Sequence, residues 1–99
     1  MARFSILLSA FLLLVVSCAT APVQEMSDAR QSIEDAVAAG AEQHAPRALA
    51  RARQLLRQAE IELEQGAYKA ARADAERAKE AAIEAREFAL ETRHDRTRE

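Results

Sequence analysis

A ladder of alanines in the C-terminal half of the chain constrains the fold more than any other feature. From Ala71 to Ala89, alanine recurs at alternating intervals of four and three residues, and Tyr68 stands three residues before the first of them. This spacing places one side chain per turn along a single face of an α-helix, in the pattern of a coiled-coil seam. The ladder therefore predicts a long helix over residues 67–93 that packs against other helices along its alanine face.

Two shorter apolar stripes precede the ladder and predict two further helices. The chain has only two glycines and two prolines, and Gly40, Pro46 and Gly66 stand where helices are expected to end or begin. These residues divide the chain into helices over residues 24–39 and 46–65. The apolar faces comprise Met26, Ala29, Ile33, Ala36 and Val37 in the first helix, and Leu49, Ala52, Leu56, Ala59 and Leu63 in the second.

The predicted fold class is all-α. The second and third helices form an antiparallel hairpin, and the shorter N-terminal helix completes a coiled-coil-like three-helix bundle. We expect one helical domain over residues 24–93 and a frayed tail over residues 94–99. Ile83, Phe88 and Leu90 flank the alanine ladder, and we expect them to supply bulk where the first helix packs.

The charges of the second helix favour the hairpin. Its first half is basic and its second half acidic, which is the order that the helix dipole disfavours. Folding the chain back at Gly66 brings opposite charges together, and predicts the pairs Glu60–Arg72, Arg57–Glu76 and Arg53–Glu80, with Arg47 and Arg51 near Glu84 and Glu87. The alternative is a patch of Arg47, Arg51, Arg53 and Arg57 that contacts anionic lipid headgroups, glycan or a partner protein.

The first 17 residues have the organisation of a secretory signal peptide. Arg3 and the free amine precede a nearly continuous apolar run, residues 4–16, which is too short to span a bilayer. The sequence Val15-Val16-Ser17-Cys18 resembles the bacterial lipobox. The resemblance implies cleavage before Cys18, a diacylglycerol on the Cys18 sulfur and an N-linked acyl chain such as palmitate. Residues 18–23 are then a lipidated tether that holds the helices close to the membrane.

The residue after the cysteine bears on the destination of the protein. Ala19, and not an aspartate, follows Cys18, which by resemblance to the sorting rule of enteric bacteria implies passage to the outer membrane. Acylation would also remove an unpaired thiol from an oxidising compartment. We therefore expect an outer membrane lipoprotein of the cell envelope that faces the periplasm.

Composition and spacing argue against most kinds of chemistry. The formal net charge of −2 is too mild to favour a nucleic-acid partner. His44 and His94 stand apart from each other and from the single cysteine, so we expect no metal site and no catalytic residues. The only expected prosthetic group is the covalent diacylglycerol and acyl chain on Cys18, and an enzyme is not expected.

The assembled helical pattern resembles a known bacterial family. The matching positions are Ala29, Ile33 and Ala36, the run Ala39-Gly40-Ala41, Ala45-Pro46 with Leu49, Ala52 with Leu56 and Ala59, Gly66 with Tyr68 and Ala71, and then Ala75, Ala78 and Ala82. The family is number 4398 among the domains of unknown function and is found in small envelope lipoproteins. The resemblance implies a helical architecture and an envelope location, and it implies no catalytic residues.

Two functions agree with these features. The first is a lipid-anchored periplasmic module with a structural or protein-interaction role in the envelope. The alternative is an accessory subunit, or a ligand- or peptidoglycan-binding module, that docks on a transport or wall-synthesis complex. The expected partners are the membrane, another envelope protein or peptidoglycan, and a homo-oligomer is possible in either function.

Overall fold

The structure is a computed structural model that describes residues 20–98. Within this range the chain forms four helices: α1 (Val23–Ala38), α2 (Ala41–His44), α3 (Pro46–Glu64) and α4 (Tyr68–Arg98). The described residues contain no strand, which confirms the all-α prediction of a hairpin with a shorter N-terminal helix. The predicted signal peptide and Cys18 lie outside the described residues.

The antiparallel hairpin is made by α3 and α4. Gly66 adopts a left-handed conformation with φ of 76°, which a glycine reaches without steric cost. The Gly66 amide donates to the Leu63 carbonyl at 3.1 Å, and the Ala67 amide donates to the Glu62 carbonyl at 2.8 Å. These bonds satisfy the last carbonyl groups of α3 and turn the chain back on itself.

The connection between α1 and α3 contains more helix than the sequence predicts. The predicted helices leave residues 41–45 as a connection between them, whereas Ala41–His44 form the single helical turn α2. Gly40, with φ of 94°, separates α1 from α2, and its carbonyl accepts from the His44 amide at 3.0 Å. Pro46 then opens α3, where its missing amide hydrogen costs nothing.

The alanine ladder is the core of the protein. All six of its alanines are fully buried, together with Met26, Ala29, Ala36, Leu49, Ala52 and Ala59 from the other two long helices. Ala81 is also buried although it lies beside the ladder, because it faces α3 rather than α1. Leu56 and Leu63 are only half-buried and pack against the edge of the core.

Contacts at both of its ends fix the position of α1. Near its start, Glu25 accepts from the Arg72 guanidinium at 3.1 Å, and after its end the Ala39 carbonyl accepts from Arg93 at 3.3 Å. Arg72 precedes Arg93 along α4, just as Glu25 precedes Ala39 along the chain. The helix α1 therefore runs parallel to α4. It therefore covers one face of the hairpin and leaves the opposite face uncovered.

The predicted role of Ile83, Phe88 and Leu90 is wrong. These side chains are 40%, 57% and 41% exposed and belong to neither of the two buried clusters of the core. Each is adjacent in sequence to a ladder alanine, so it lies about 100° around the helix from the buried face. Met26 and Ile33, which α1 itself contributes, fill the space that the alanines leave.

The ends of the domain also differ from the sequence prediction. The last helix does not end at residue 93 but continues to Arg98. No glycine or proline interrupts it, and the Thr97 hydroxyl donates to the His94 carbonyl at 2.8 Å. The predicted tether, residues 18–23, overlaps the folded domain, because Pro22 is fully buried and Val23 begins α1.

The close approach of helices along the alanine ladder predicts that added volume is destabilising there. Ala82→Leu should lower the free energy of unfolding by about 1–3 kcal/mol, because a well-packed core has no room for three further carbon atoms. The control is Ala50→Leu at an exposed position of α3, which should change it by less than about 0.5 kcal/mol. Urea unfolding followed by far-UV circular dichroism measures both, and equal effects would contradict close packing at the ladder.

Candidate functional site: the uncovered face of the hairpin

The groove between α3 and α4 on the side away from α1 is the candidate functional surface, here called the open face. Ion pairs mark the side of the hairpin that α1 covers, because Glu60 of α3 and Arg72 of α4 both pair with residues of α1. A rotation of about 100° per residue places a second set of side chains on the uncovered side. The open face comprises Ala48, Arg51, Leu55 and Glu62 of α3, and Asp74, Arg77, Glu80, Ala81, Glu84 and Phe88 of α4.

An apolar depression lies at the end of the open face nearest α2. It has a volume of about 400 Å³ and is lined by His44, Ala45, Pro46, Arg47, Ala48 and Phe88. Phe88 is the most exposed large apolar side chain of α4, at 57%. Aromatic side chains presented in this way are typical anchors of protein–protein contacts.

The middle of the open face is polar. Arg51 of α3 and Arg77, Glu80 and Glu84 of α4 line a shallow depression of about 290 Å³ around buried Ala81. Both signs of charge are present, so this segment attracts neither a strongly anionic nor a strongly cationic partner. It suits a surface that is itself mixed in charge.

Two carboxyl groups face each other near the turn of the hairpin. Asp74 accepts from Arg77 at 3.0 Å, whereas the buried Glu62 Oε1 has no hydrogen-bond partner in residues 20–98. A protonated Glu62 can donate a hydrogen bond to the Asp74 carboxylate, which raises the pKa of Glu62 above its usual value, and burial and the Asp74 charge raise it further. Arg77 opposes this shift without cancelling it.

The four candidate arginines of α3 do not form one patch. Arg51 lines the middle of the open face and Arg47 lines its apolar depression. Arg53 lies on another side of α3 and donates to Glu42 at 3.1 Å. Arg57, four residues later, lies on the same side as Arg53. The sequence therefore predicted correctly that these residues are on one helix but gave no indication that they divide between two sides.

Three of the ion pairs predicted across the hairpin are wrong, Glu60–Arg72, Arg57–Glu76 and Arg53–Glu80, whereas Arg51 does lie near Glu84. Among residues 20–98, Glu60 pairs with Arg30 at 3.4 Å and Arg72 pairs with Glu25 at 3.1 Å. Arg53 pairs with Glu42 and not with Glu80. Folding the chain back at Gly66 fixes only the height of each residue along the hairpin. It does not fix which side of the helix a residue faces, and α1 and α2 offer opposite charges to side chains on their own side.

Other kinds of site find little support in the described range. No three histidine, cysteine, aspartate or glutamate side chains within residues 20–98 are close enough to hold a metal ion. The same part of the chain has no helix that is long and apolar enough to cross a membrane. Cys18, the predicted lipid attachment site, precedes the described residues.

The whole helical region corresponds to one known family. The sequence model described as "Domain of unknown function (DUF4398)" matches residues 24–99. The chain belongs to this family. No curated protein and no solved structure matches the chain. Since the DUF4398 match spans the residues of all four helices apart from Val23, the family corresponds to the complete three-helix unit and not to the hairpin alone.

Two features of this DUF4398 domain were missed from the sequence. The fold-back at Gly66 placed Glu62 opposite Ala70, one helical turn away from its actual neighbour Asp74. The residues of the turn shift the pairing of the two helices by about one helical turn. A fold-back that allowed for these residues would have placed Glu62 opposite Asp74. The apolar depression was missed because Phe88 was expected to be covered by α1.

A double-mutant cycle tests the position of α1. The coupling between Glu25→Ala and Arg72→Ala should be about 0.5–1 kcal/mol, as for a partly exposed ion pair. The matched cycle between Glu60→Ala and Arg72→Ala should give coupling near zero, because Glu60 pairs with Arg30. Urea unfolding measures both cycles, and the reverse ranking would restore the ion pairs predicted from the sequence.

The carboxyl pair makes stability depend on pH. Because the pKa of Glu62 is raised in the folded state, folding takes up a proton between pH 4.5, the ordinary value, and the raised value. The free energy of unfolding therefore decreases as the pH rises through this interval. Glu62→Gln should raise Tm at pH 7, since the amide can donate to Asp74, and should change Tm little below pH 4.

The control for this experiment is Glu64→Gln, which removes an exposed carboxylate from the same helix. Thermal unfolding at several pH values compares the two variants. If Glu62→Gln gives the same Tm difference from the wild type at every pH, or no greater rise than Glu64→Gln, the carboxyl pair does not destabilise the folded protein.

Proposed function

We propose that the protein is a lipid-anchored helical lipoprotein of the cell envelope that acts by contact rather than by catalysis. Its anchor is the diacylglycerol and N-linked acyl chain on Cys18, and its location is the periplasmic side of the outer membrane. Its role is structural or protein-interacting, and the open face of the hairpin is the surface that meets the partner.

The anchor is supported by the sequence before the domain. A short positive segment, an apolar run and Val15-Val16-Ser17-Cys18 occur in the order that lipoprotein signal peptides have. Each buried methylene group of an acyl chain contributes about 0.8 kcal/mol to membrane binding, so two or three chains hold a protein stably. Ala19 supports the outer membrane as the destination.

The single observation that carries the interaction role is the exposure of Phe88. The core of the domain is almost entirely alanine, yet a phenylalanine stands 57% exposed beside an apolar depression. An approaching helix could bury Phe88 and Leu55 while its polar residues meet Arg51 and Glu84. The partner is then another envelope protein, or a second copy of this chain.

A second candidate function is favoured by the free arginines. Among residues 20–98, Arg47, Arg51 and Arg57 form no ion pair. Such guanidinium groups are available to carboxylates of peptidoglycan or of a transport or wall-synthesis complex. In this function the protein is an accessory or peptidoglycan-binding subunit, anchored in the same way.

Site-specific photo-crosslinking in cells tests the proposal. A photoreactive phenylalanine analogue in place of Phe88 should give one dominant crosslinked product. The same analogue at Ile83 is the control, because Ile83 is similarly exposed but lies on the other side of α4. In a Cys18→Ser background we expect loss of acylation, an unprocessed precursor and loss of the Phe88 product.

The outcomes separate the components of the proposal. Processed, membrane-bound Cys18→Ser protein would overturn the lipid anchor. Equal crosslinking from residues 83 and 88 would overturn the open face, and a product of twice the monomer mass identifies a second copy. If Phe88 gives no product, but the protein co-sediments with purified peptidoglycan in a salt-sensitive manner, the second candidate function is correct.

A further inference from the structure

A guanidinium group determines where the start of the domain lies. Arg72 donates from Nη2 to the Thr20 carbonyl and from Nε to Glu25, both at 3.1 Å. Pro22, between these two residues, is fully buried. The chain that enters α1 is therefore held against the first turns of α4, close to the α3–α4 turn.

Cys18 precedes Thr20 by two residues in the sequence, and two residues of chain span at most about 7 Å. The opposite end of the domain is remote, since Arg93, which caps α1, is 21 residues beyond Arg72 on the same helix. At 1.5 Å per residue this separation is about 32 Å. A lipid on Cys18 therefore anchors the domain by the end that contains the turn.

The exposed surface at this end, here called the turn end, combines apolar side chains with Lys69 of α4 and with Glu64, the exposed last residue of α3. Val23 is 68% exposed, the largest value for a large apolar side chain within residues 20–98. Beside the turn, Gly66, Ala67, Tyr68, Lys69, Ala70 and Ala73 line an open concavity of about 660 Å³. A tyrosine with apolar neighbours suits the boundary between lipid and water, and a lysine there can extend its amine to the headgroups.

We propose that the turn end is a membrane-contact surface and that Val23, Ala67, Tyr68 and Ala70 lie against the lipid headgroups of the bilayer that holds Cys18. The inference rests on the proposed function, because it requires the lipid anchor. Phe88 is 16 residues beyond Arg72, so the apolar depression of the open face stands about 24 Å farther from the membrane along α4. Partners are then met away from the bilayer, not at its surface.

Tryptophan fluorescence tests this orientation. The chain has no tryptophan, so a single substitution gives a reporter without background. The acylated mature protein is reconstituted in vesicles of phosphatidylethanolamine and phosphatidylglycerol, with and without brominated phosphatidylcholine. Tyr68→Trp should lose fluorescence in the brominated vesicles, and its emission should shift to shorter wavelength on binding.

The matched control is Leu90→Trp, an exposed position about 27 Å beyond Arg72, whose fluorescence should not change. If circular dichroism shows that Tyr68→Trp does not fold, Ala70→Trp replaces it, because Ala70 is exposed on the same surface. Mass spectrometry and vesicle flotation establish acylation and binding of each protein before the fluorescence is compared.

The failure of the anchor and the failure of the orientation give different results. If Cys18 carries no acyl chain and the protein does not float with vesicles, the anchor is wrong and the inference fails with it. If the protein is acylated and vesicle-bound but both reporters remain unquenched, only the inference is overturned. Quenching of Leu90→Trp alone, or of both reporters equally, also overturns the proposed orientation.

Discussion

Close packing of alanine along α4 is the interaction on which the rest of this structure depends. Each buried alanine removes little apolar area from water, so the core gains its stability from number and proximity rather than from large side chains. Six alanines at alternating intervals of four and three are fully buried, and Leu49 and Met26 are among the few large side chains enclosed with them. A seam of this kind allows helix axes to approach closely, and it requires α1 to lie in one position against the hairpin.

That position creates the two surfaces of functional interest. Because α1 lies parallel to α4 on one side of the hairpin, the opposite side stays uncovered and presents Phe88 beside an apolar depression. Because Arg72 holds Thr20 and Glu25, the start of α1 lies beside the α3–α4 turn. The turn end and the apolar depression of the open face are therefore separated along the long axis of α4.

Much of the fold could be predicted from the sequence, because its signals are local. The alanine spacing, Gly40, Gly66 and Pro46 act within a few residues of themselves, so they indicate the helices and the hairpin directly. The site depends on the direction that each side chain faces around its helix axis. Folding the sequence back at Gly66 gives only the position of a residue along the hairpin, not this direction. Arg53 and Glu80 lie on different sides for this reason. Phe88 lies about 100° around α4 from the buried face, and the sequence does not indicate which side of the hairpin α1 covers.

The position of α1 is the central claim, and nuclear Overhauser effects between methyl groups measure it most directly. Met26 of α1 is buried with Ala59 of α3 and Ala75 of α4, near the turn of the hairpin. With methyl-labelled methionine and alanine, the Met26 methyl group should show strong effects to the methyl groups of Ala59 and Ala75. Effects to Ala89 in their place would mean that α1 runs in the opposite direction, and the absence of any effect between Met26 and α4 would mean that α1 does not cover the hairpin.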